Sequence, residues 1–270
     1  MLKLRLLTAI ILIPLVMLAI FRMPQPAFAL ITAVVFGLAA WEWAGLAGWQ
    51  KKWPRLLYAF IMLMALGGSV LLPPAAIITL GACGWLGILG WLLYLRKQSH
   101  VPVLPGWSVA AIGFFVLLPG WQALVILHLE PKLLFYMLLM IWITDTAAYF
   151  GGRALGRHKL APAISPNKTL EGLQAGIVAT LILSIVLVRF VFVPGQFNLI
   201  WILPVLPLII AAVAGDLFES ALKRMRGIKD SSRLLPGHGG ILDRIDSLLA
   251  AAPVFACAWI SMQALAIYLK

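Results

Sequence analysis

Nine runs of about 20 mostly apolar residues follow one another along this chain, at 6–21, 27–47, 54–72, 75–95, 107–127, 132–152, 172–193, 198–218 and 248–268. In hydrocarbon each backbone N–H and C=O must find its partner inside the protein, so segments of this length span as helices. The expected fold is therefore all-α: a polytopic transmembrane helical bundle of about nine spans. The composition agrees, with 63% hydrophobic residues and 11% charged, far from the mixture of a water-soluble domain. Cys83 and Cys257 both fall inside apolar runs, where a small buried thiol is ordinary and neither a disulfide framework nor a zinc site is implied.

The net charge of +12 would suggest nucleic acid in a soluble protein. Here the placement of the cations decides otherwise. With a cytoplasmic N-terminus, alternate loops collect 17 of the 21 Lys and Arg residues on one side, leaving Arg22, Lys132, Arg189 and Lys270 on the other. This asymmetry supports the span count and puts the basic loops in the cytoplasm. Anionic headgroups and nucleotides, not nucleic acid, are the expected partners, together with membrane lipids. The basic start, apolar run and Ala27-Phe28-Ala29 also resemble a cleavable signal, but the run from Leu6 is long enough to remain as a first helix.

The chain divides by character. Residues 1–130 read as an N-terminal scaffold of about five spans, with short loops and few ionisable groups. Glu42, in the sequence Trp41-Glu42-Trp43, reads as an interfacial carboxylate between two belt tryptophans. Residues 131–270 read as a catalytic region with cytoplasmic loops at 151–171 and 219–247, and hold seven of the nine acidic residues. Asp145 lies within the sixth apolar run. A carboxylate there is costly and usually faces protein or water, so it serves either a site or a hydrogen-bonded cluster with Thr144, Thr146 and Tyr149. Glycines and prolines between Gly151 and Gly172 forbid a continuous helix.

After the eighth run, Asp216, Ser220 and Lys223 share one helical face. Then comes the stretch from Lys223 to Asp246, whose Lys223, Arg224, Lys229, Arg233 and Arg244 make a field strong enough for a polyphosphate. Gly237, Gly239 and Gly240 flank His238, and such backbone can approach a phosphate and present its N–H groups. Asp243 and Asp246 stand one turn apart at the start of the ninth helix. Three hard oxygen ligands, Asp216, Asp243 and Asp246, beside a phosphate cradle suit Mg²⁺. His238 alone reads equally as a turn residue or as an acid or base.

These residues also resemble a known family. Ser220, Lys223-Arg224, Lys229-Asp230 and the run Pro236-Gly237-His238-Gly239-Gly240-Ile241-Leu242-Asp243-Arg244-Ile245-Asp246 are similar to the motif of phosphatidate cytidylyltransferases, the CDP-diacylglycerol synthases. Ser165-Pro166-Asn167-Lys168-Thr169-Leu170-Glu171-Gly172 resembles a second element of that family, with Asn167 where a lysine is usual. The resemblance implies transfer of the cytidylyl group of CTP to phosphatidic acid, releasing pyrophosphate, with Mg²⁺. It implies catalytic roles for Asp216, Lys223, Asp243 and Asp246. It also implies substrate contacts from Asp145, Ser165, Lys168, Glu171, Ser220, Arg224, Lys229, Arg233, His238, Gly239, Gly240 and Arg244. A homodimer, a second, monovalent cation and the bacterial cytoplasmic (inner) membrane come with the same implication. A transporter would need ionisable residues across the full membrane depth, and here they stay on the cytoplasmic side. A CTP-dependent lipid kinase would transfer the γ-phosphoryl group instead, and a non-catalytic scaffold would not need three carboxylates beside a basic glycine loop.

Overall fold

A computed structural model describes residues 13–192, 202–234 and 239–268. Its elements are α1 (Ile13–Arg22), α2 (Gln25–Leu46), α3 (Lys52–Ser69), α4 (Pro74–Leu95), α5 (Gly106–Leu127), α6 (Pro131–Leu155), β1 (Lys159–Ala161), β2 (Ser165–Thr169), α7 (Leu170–Leu187), α8 (Val205–Met225) and α9 (Leu242–Tyr268). Among the described residues, seven helices are long and apolar enough to cross a membrane: α2, α4, α5, α6, α7 with the π-helical turn that follows it, α8 and α9. The chain is thus a polytopic, all-α membrane protein. The first expected run lies partly outside the described residues.

Prolines punctuate this architecture where helix starts tolerate them. Pro24, Pro73 and Pro105 precede α2, α4 and α5 as their capping residues, and Pro131 opens α6. Two more lie inside helices, Pro119 in α5 and Pro253 in α9. Gly81 of α4 faces both: a Cβ there would collide with the Pro119 ring and sit 3.6 Å from Pro253 Cβ. The three helices cross where the missing side chain makes room.

The core joins helices from both halves of the chain. Phe218 of α8 is surrounded by Trp43, Trp85 and Trp91, with ring centroids 6.1, 5.8 and 5.9 Å away. The indole and phenol tips that this packing buries find backbone acceptors: Trp43 Nε1 donates to Val109 O, Tyr58 OH to Ala110 O, and Trp85 Nε1 to Leu249 O. Tryptophans of α2 and α4 therefore fix the rotation of α8, and with it the direction of the polar side chains on its last two turns.

α6 and α7 form a closely packed pair. Gly151 and Gly152 of α6 meet Ala175 and Gly172 of α7, and Gly176 meets the Thr144 backbone. Small residues let the backbones approach, and hydroxyls tie them across the bilayer interior: Tyr136 OH to Ser184 Oγ at 2.6 Å and Thr144 Oγ1 to Thr180 Oγ1 at 2.9 Å.

The loops and helix ends add detail that hydropathy alone does not give. The loop of residues 151–171 holds an antiparallel hairpin, with Lys159 opposite Thr169 and Ala161 opposite Ser165. α8 continues to Met225 and α9 begins at Leu242, beyond the apolar runs from which they were inferred. Salt bridges and backbone caps carry the helices past the hydrophobic segment, so the polar residues stand on regular helix. The core also crosses residue 130, since α4 and α5 pack on α9.

Candidate active site

The last turns of α8 supply an acidic and basic ladder. Ser220 Oγ donates to Asp216 Oδ1 at 3.3 Å, and Lys223 Nζ donates to Glu219 Oε2 at 2.6 Å, both four residues apart. Lys223 also reaches across to α9, donating to Asp243 Oδ1 at 2.6 Å. The three side chains of this bridge are largely withdrawn from solvent, at 12% exposure for Lys223, 3% for Glu219 and 7% for Asp243. Two carboxylates at such depth need the ammonium between them. Glu219 keeps one oxygen, Oε1, buried without a hydrogen-bond partner.

α8 and α9 come together because Gly215 has no side chain: a Cβ there would run into the backbone O of Asp246. This contact sets Asp216, the next residue of α8, beside the first turns of α9. Asp246 Oδ1 accepts from Ser247 N at 2.7 Å, and the charges of Asp216, Lys223 and Lys168 act on it. Lys168, at the end of β2, completes the other side of the cleft with Nζ 2.6 Å from Asp216 Oδ2. The hairpin is itself held on α8, where Arg224 Nε donates to Ile164 O at 3.2 Å. Asp145 of α6 is exposed, within electrostatic reach of Lys168 and Asp216. The structure thus brings Asp145, Lys168, Asp216, Ser220, Lys223, Asp243 and Asp246 to one region, from four elements.

Asp243 is the organising carboxylate of the turn before α9. Its Oδ2 accepts from Ser231 N at 2.9 Å, Ser231 Oγ at 2.9 Å and Gly240 N at 2.7 Å. Gly239, at φ 80°, supplies the left-handed residue the turn requires, and a Cβ there would lie 2.8 Å from Asp243 Oδ2.

The remaining motif residues are placed as follows. Among the described residues no three acidic, histidine or cysteine side chains are gathered closely enough to enclose a metal. Asp216, Asp243 and Asp246 are divided by lysine ammonium groups, and both oxygens of Asp243 are already engaged. The Gly240 N–H points to Asp243, not to an open cradle. Glu171 is turned to its own loop: it accepts from Arg157 N at 3.0 Å and His158 N at 3.2 Å, and contacts His158 Nδ1 at 2.6 Å. It anchors the entry to the hairpin. Ser165 is half-buried at the start of β2; Arg224, Lys229, Arg233 and Arg244 are exposed around the cleft, and Pro236, Gly237 and His238 lie outside the described residues.

Two site residues escaped the sequence reading. Glu219 lies on the face shared by Asp216, Ser220 and Lys223, four residues before Lys223, and pairs with it. Glu42, expected at the membrane interface, is fully buried and accepts hydrogen bonds from the segment leading into α9. The signal for Glu42 was a carboxylate embedded in an apolar run, the same reasoning that singled out Asp145; for Glu219 it was the spacing of four to Lys223.

Comparison with known proteins is consistent along the whole chain. The family model described as the cytidylyltransferase family matches residues 3–262. A phosphatidate cytidylyltransferase of Pseudomonas aeruginosa is 39% identical over 264 residues, covering 95% of this chain and 96% of the relative. One of Haemophilus influenzae is 35% identical over 285 aligned positions, covering 95% of this chain and 98% of the relative. A third, of Staphylococcus haemolyticus, reaches 49% identity over 130 residues, about half of each chain.

Proposed function

Because the chain belongs to the cytidylyltransferase family, we propose that it transfers the cytidylyl group of CTP to phosphatidic acid, giving CDP-diacylglycerol and pyrophosphate for phospholipid synthesis. The observation that carries this reading is the joining of near full-length similarity with one cluster, Lys168–Asp216 and Lys223–Asp243, at the polar ends of membrane helices. The basic loops favour a cytoplasmic active site in the bacterial inner membrane, and we extend the reading to a homodimer.

In the reaction a phosphate oxygen of phosphatidic acid attacks the α-phosphorus of CTP. The bond between the α-phosphorus and the α,β-bridging oxygen breaks, and its electrons leave with pyrophosphate. The nucleophile is already anionic at neutral pH, so no strong general base is required, and the barrier lies in bringing two anions into line. The exposed Arg224, Lys229, Arg233 and Arg244 draw the triphosphate in and share its charge. Lys168 and Lys223, held in place by carboxylates, present fixed positive charge at the cleft without having to be ordered on binding. Asp145, exposed on α6, marks the side from which a lipid headgroup would approach while its chains stay in the bilayer.

The chemistry of the donor set fits a hard divalent cation: Asp216 and Asp243 each already hold an ammonium group at 2.6 Å, and a divalent cation would take the place of those ammonium groups among the same hard oxygens. Asp216 and Asp246, joined by Asp243, would hold Mg²⁺, which when bound screens the phosphates and stabilises the leaving pyrophosphate. A second, monovalent cation belongs to the same proposal.

The test uses CTP labelled at either end of the triphosphate. With purified protein and phosphatidic acid, α-³²P is expected in the lipid product and γ-³²P in pyrophosphate. Lipid carrying the γ label would show a kinase and overturn the reading.

A further inference from the structure

Glu42 stands at the end of α2 with no exposure at all. A carboxylate withdrawn from water is retained only where donors replace its hydration. Its donors are Ser231 Oγ at 3.2 Å, Ser232 Oγ, Ile241 N at 3.0 Å and Leu242 N at 2.6 Å. All four belong to the connection between α8 and α9 or to the first residue of α9. The charge of nearby Arg55 reaches Glu42, but its hydrogen bond goes to Trp41 O and it lies 3.6 Å above the Trp41 ring.

The same end of α2 also receives the start of that connection. Arg226 donates from Nε to Leu46 O at 2.7 Å and from Nη2 to Ala47 O at 2.8 Å, satisfying carbonyls that a helix end leaves open. Residues 42–47 therefore hold both ends of the loop. Three successive N–H groups of the turn are assigned: Gly240 to Asp243, and Ile241 and Leu242 to Glu42. The Ser231 hydroxyl lies between the two carboxylates, 2.9 Å from Asp243 Oδ2 and 3.2 Å from Glu42 Oε2. Gly240 makes this possible, since a Cβ there would sit 2.6 Å from Glu42 Oε1.

We propose that Glu42 is a positioning residue of the active site: it secures the N–H groups of Ile241 and Leu242 so that Asp243 is free to face Lys223. Without Glu42, the nearest carboxylate able to cap those two donors is Asp243 itself. Rotating to do so would break its bond to Lys223 and leave that ammonium with Glu219 alone. The inference rests on the cytidylyltransferase reading, and it makes α2, from the half of the chain that reads as scaffold, part of the catalytic apparatus. Glutamine has the right shape but the wrong chemistry, since one side of its amide turns a donor toward the Leu242 N–H or the serine hydroxyls.

The experiment uses the full-length protein, its Glu42→Gln variant and its Ser232→Ala variant, which removes the bond to Glu42 together with one local bond from the Leu234 N–H. Turnover is followed by transfer of α-³²P from CTP, and loop order by tryptic cleavage after Arg233, with the exposed Arg96 as a reference site. Glu42→Gln is expected to lower kcat by about tenfold or more while KM for phosphatidic acid stays within about twofold, the pattern of a misplaced catalytic group. Cleavage after Arg233 should accelerate roughly fivefold with cleavage after Arg96 unchanged, the mark of a local opening. Ser232→Ala should move both readouts in the same direction by about threefold, the scale of a weak single hydrogen bond. Wild-type turnover in both variants, or equal acceleration at both cleavage sites, would overturn the proposal. If Glu42→Gln is not recovered from membranes, Ser232→Ala decides by turnover alone, because losing its bond from the Leu234 N–H loosens the Arg233 cleavage site directly: wild-type turnover would overturn the proposal. Should wild-type protein transfer no label to lipid, the functional reading fails, while the cleavage pattern still decides whether Glu42 holds the loop.

Discussion

Lys223 of α8 donates to Asp243 of α9 across 2.6 Å, and this contact joins the end of one helix to the beginning of the next. The ammonium also serves Glu219, so a single cation is shared between two carboxylates that are 3% and 7% exposed. Lys223→Met should leave both buried and unpaired, destabilising the protein by about 3–5 kcal/mol. The expected result is a clearly lowered Tm in detergent with transfer activity abolished. An unchanged Tm would show that the pair is not a buried one in the folded protein.

Gly215→Ala tests the approach of α8 to α9. The added methyl would meet the backbone O of Asp246, and a backbone atom cannot turn aside as a flexible side chain can. Overpacking of this kind costs about 1–3 kcal/mol. More tellingly, it should separate Asp216 from Asp246, so activity is expected to fall far more than stability. Equal activity at equal expression would count against a site built across this crossing.

Chelation tests the metal. EDTA should stop transfer from CTP, and added Mg²⁺ should restore it. Asp216→Asn and Asp246→Asn are each expected to raise the Mg²⁺ concentration needed for half-maximal turnover by about tenfold or more, as loss of a carboxylate ligand implies. Full activity of the wild-type protein in EDTA would remove Mg²⁺ from the mechanism.

Thr146, exposed on α6 beside Asp145, tests the side of entry. Thr144 is less suitable because it is buried, bonded to Met140 O and Thr180 Oγ1. In a background lacking Cys83 and Cys257, Thr146→Cys should react with a membrane-impermeant thiol reagent only from the cytoplasmic face. Reaction from the outer face would favour a transport path instead.

The bundle was legible because spanning a bilayer demands long apolar runs, and the helices α2 to α7 lie within a few residues of them. α8 and α9 were misplaced for the opposite reason. Their site-bearing ends are polar, so hydropathy ends each helix while hydrogen bonds continue it. The motif residues Lys168, Asp216, Lys223, Asp243 and Asp246 do converge, but their pairing was not legible: a lysine between two aspartates looks the same in sequence as an aspartate pair awaiting a metal. Glu171 and Gly240, read as facing substrate, also bond within their own loops, to Arg157 and His158 and to Asp243, partners that no spacing in the sequence announces. Glu42 was missed because its partners lie about 190 to 200 positions away, beyond any local pattern.

That separation has a consequence for how the protein is made. α2 is synthesised and placed in the bilayer long before α9 exists, so a nascent chain carries Glu42 without any of the four donors that later surround it. The carboxylate must wait in water or headgroups, and it can be drawn inward only when the final helix arrives with Ile241 and Leu242. The connection between α8 and α9 can therefore close on α2 only after the start of α9 has been made. A chain interrupted before α9 keeps an unsatisfied charge at the edge of its bundle, a defect by which membrane quality control can tell an unfinished copy from a finished one.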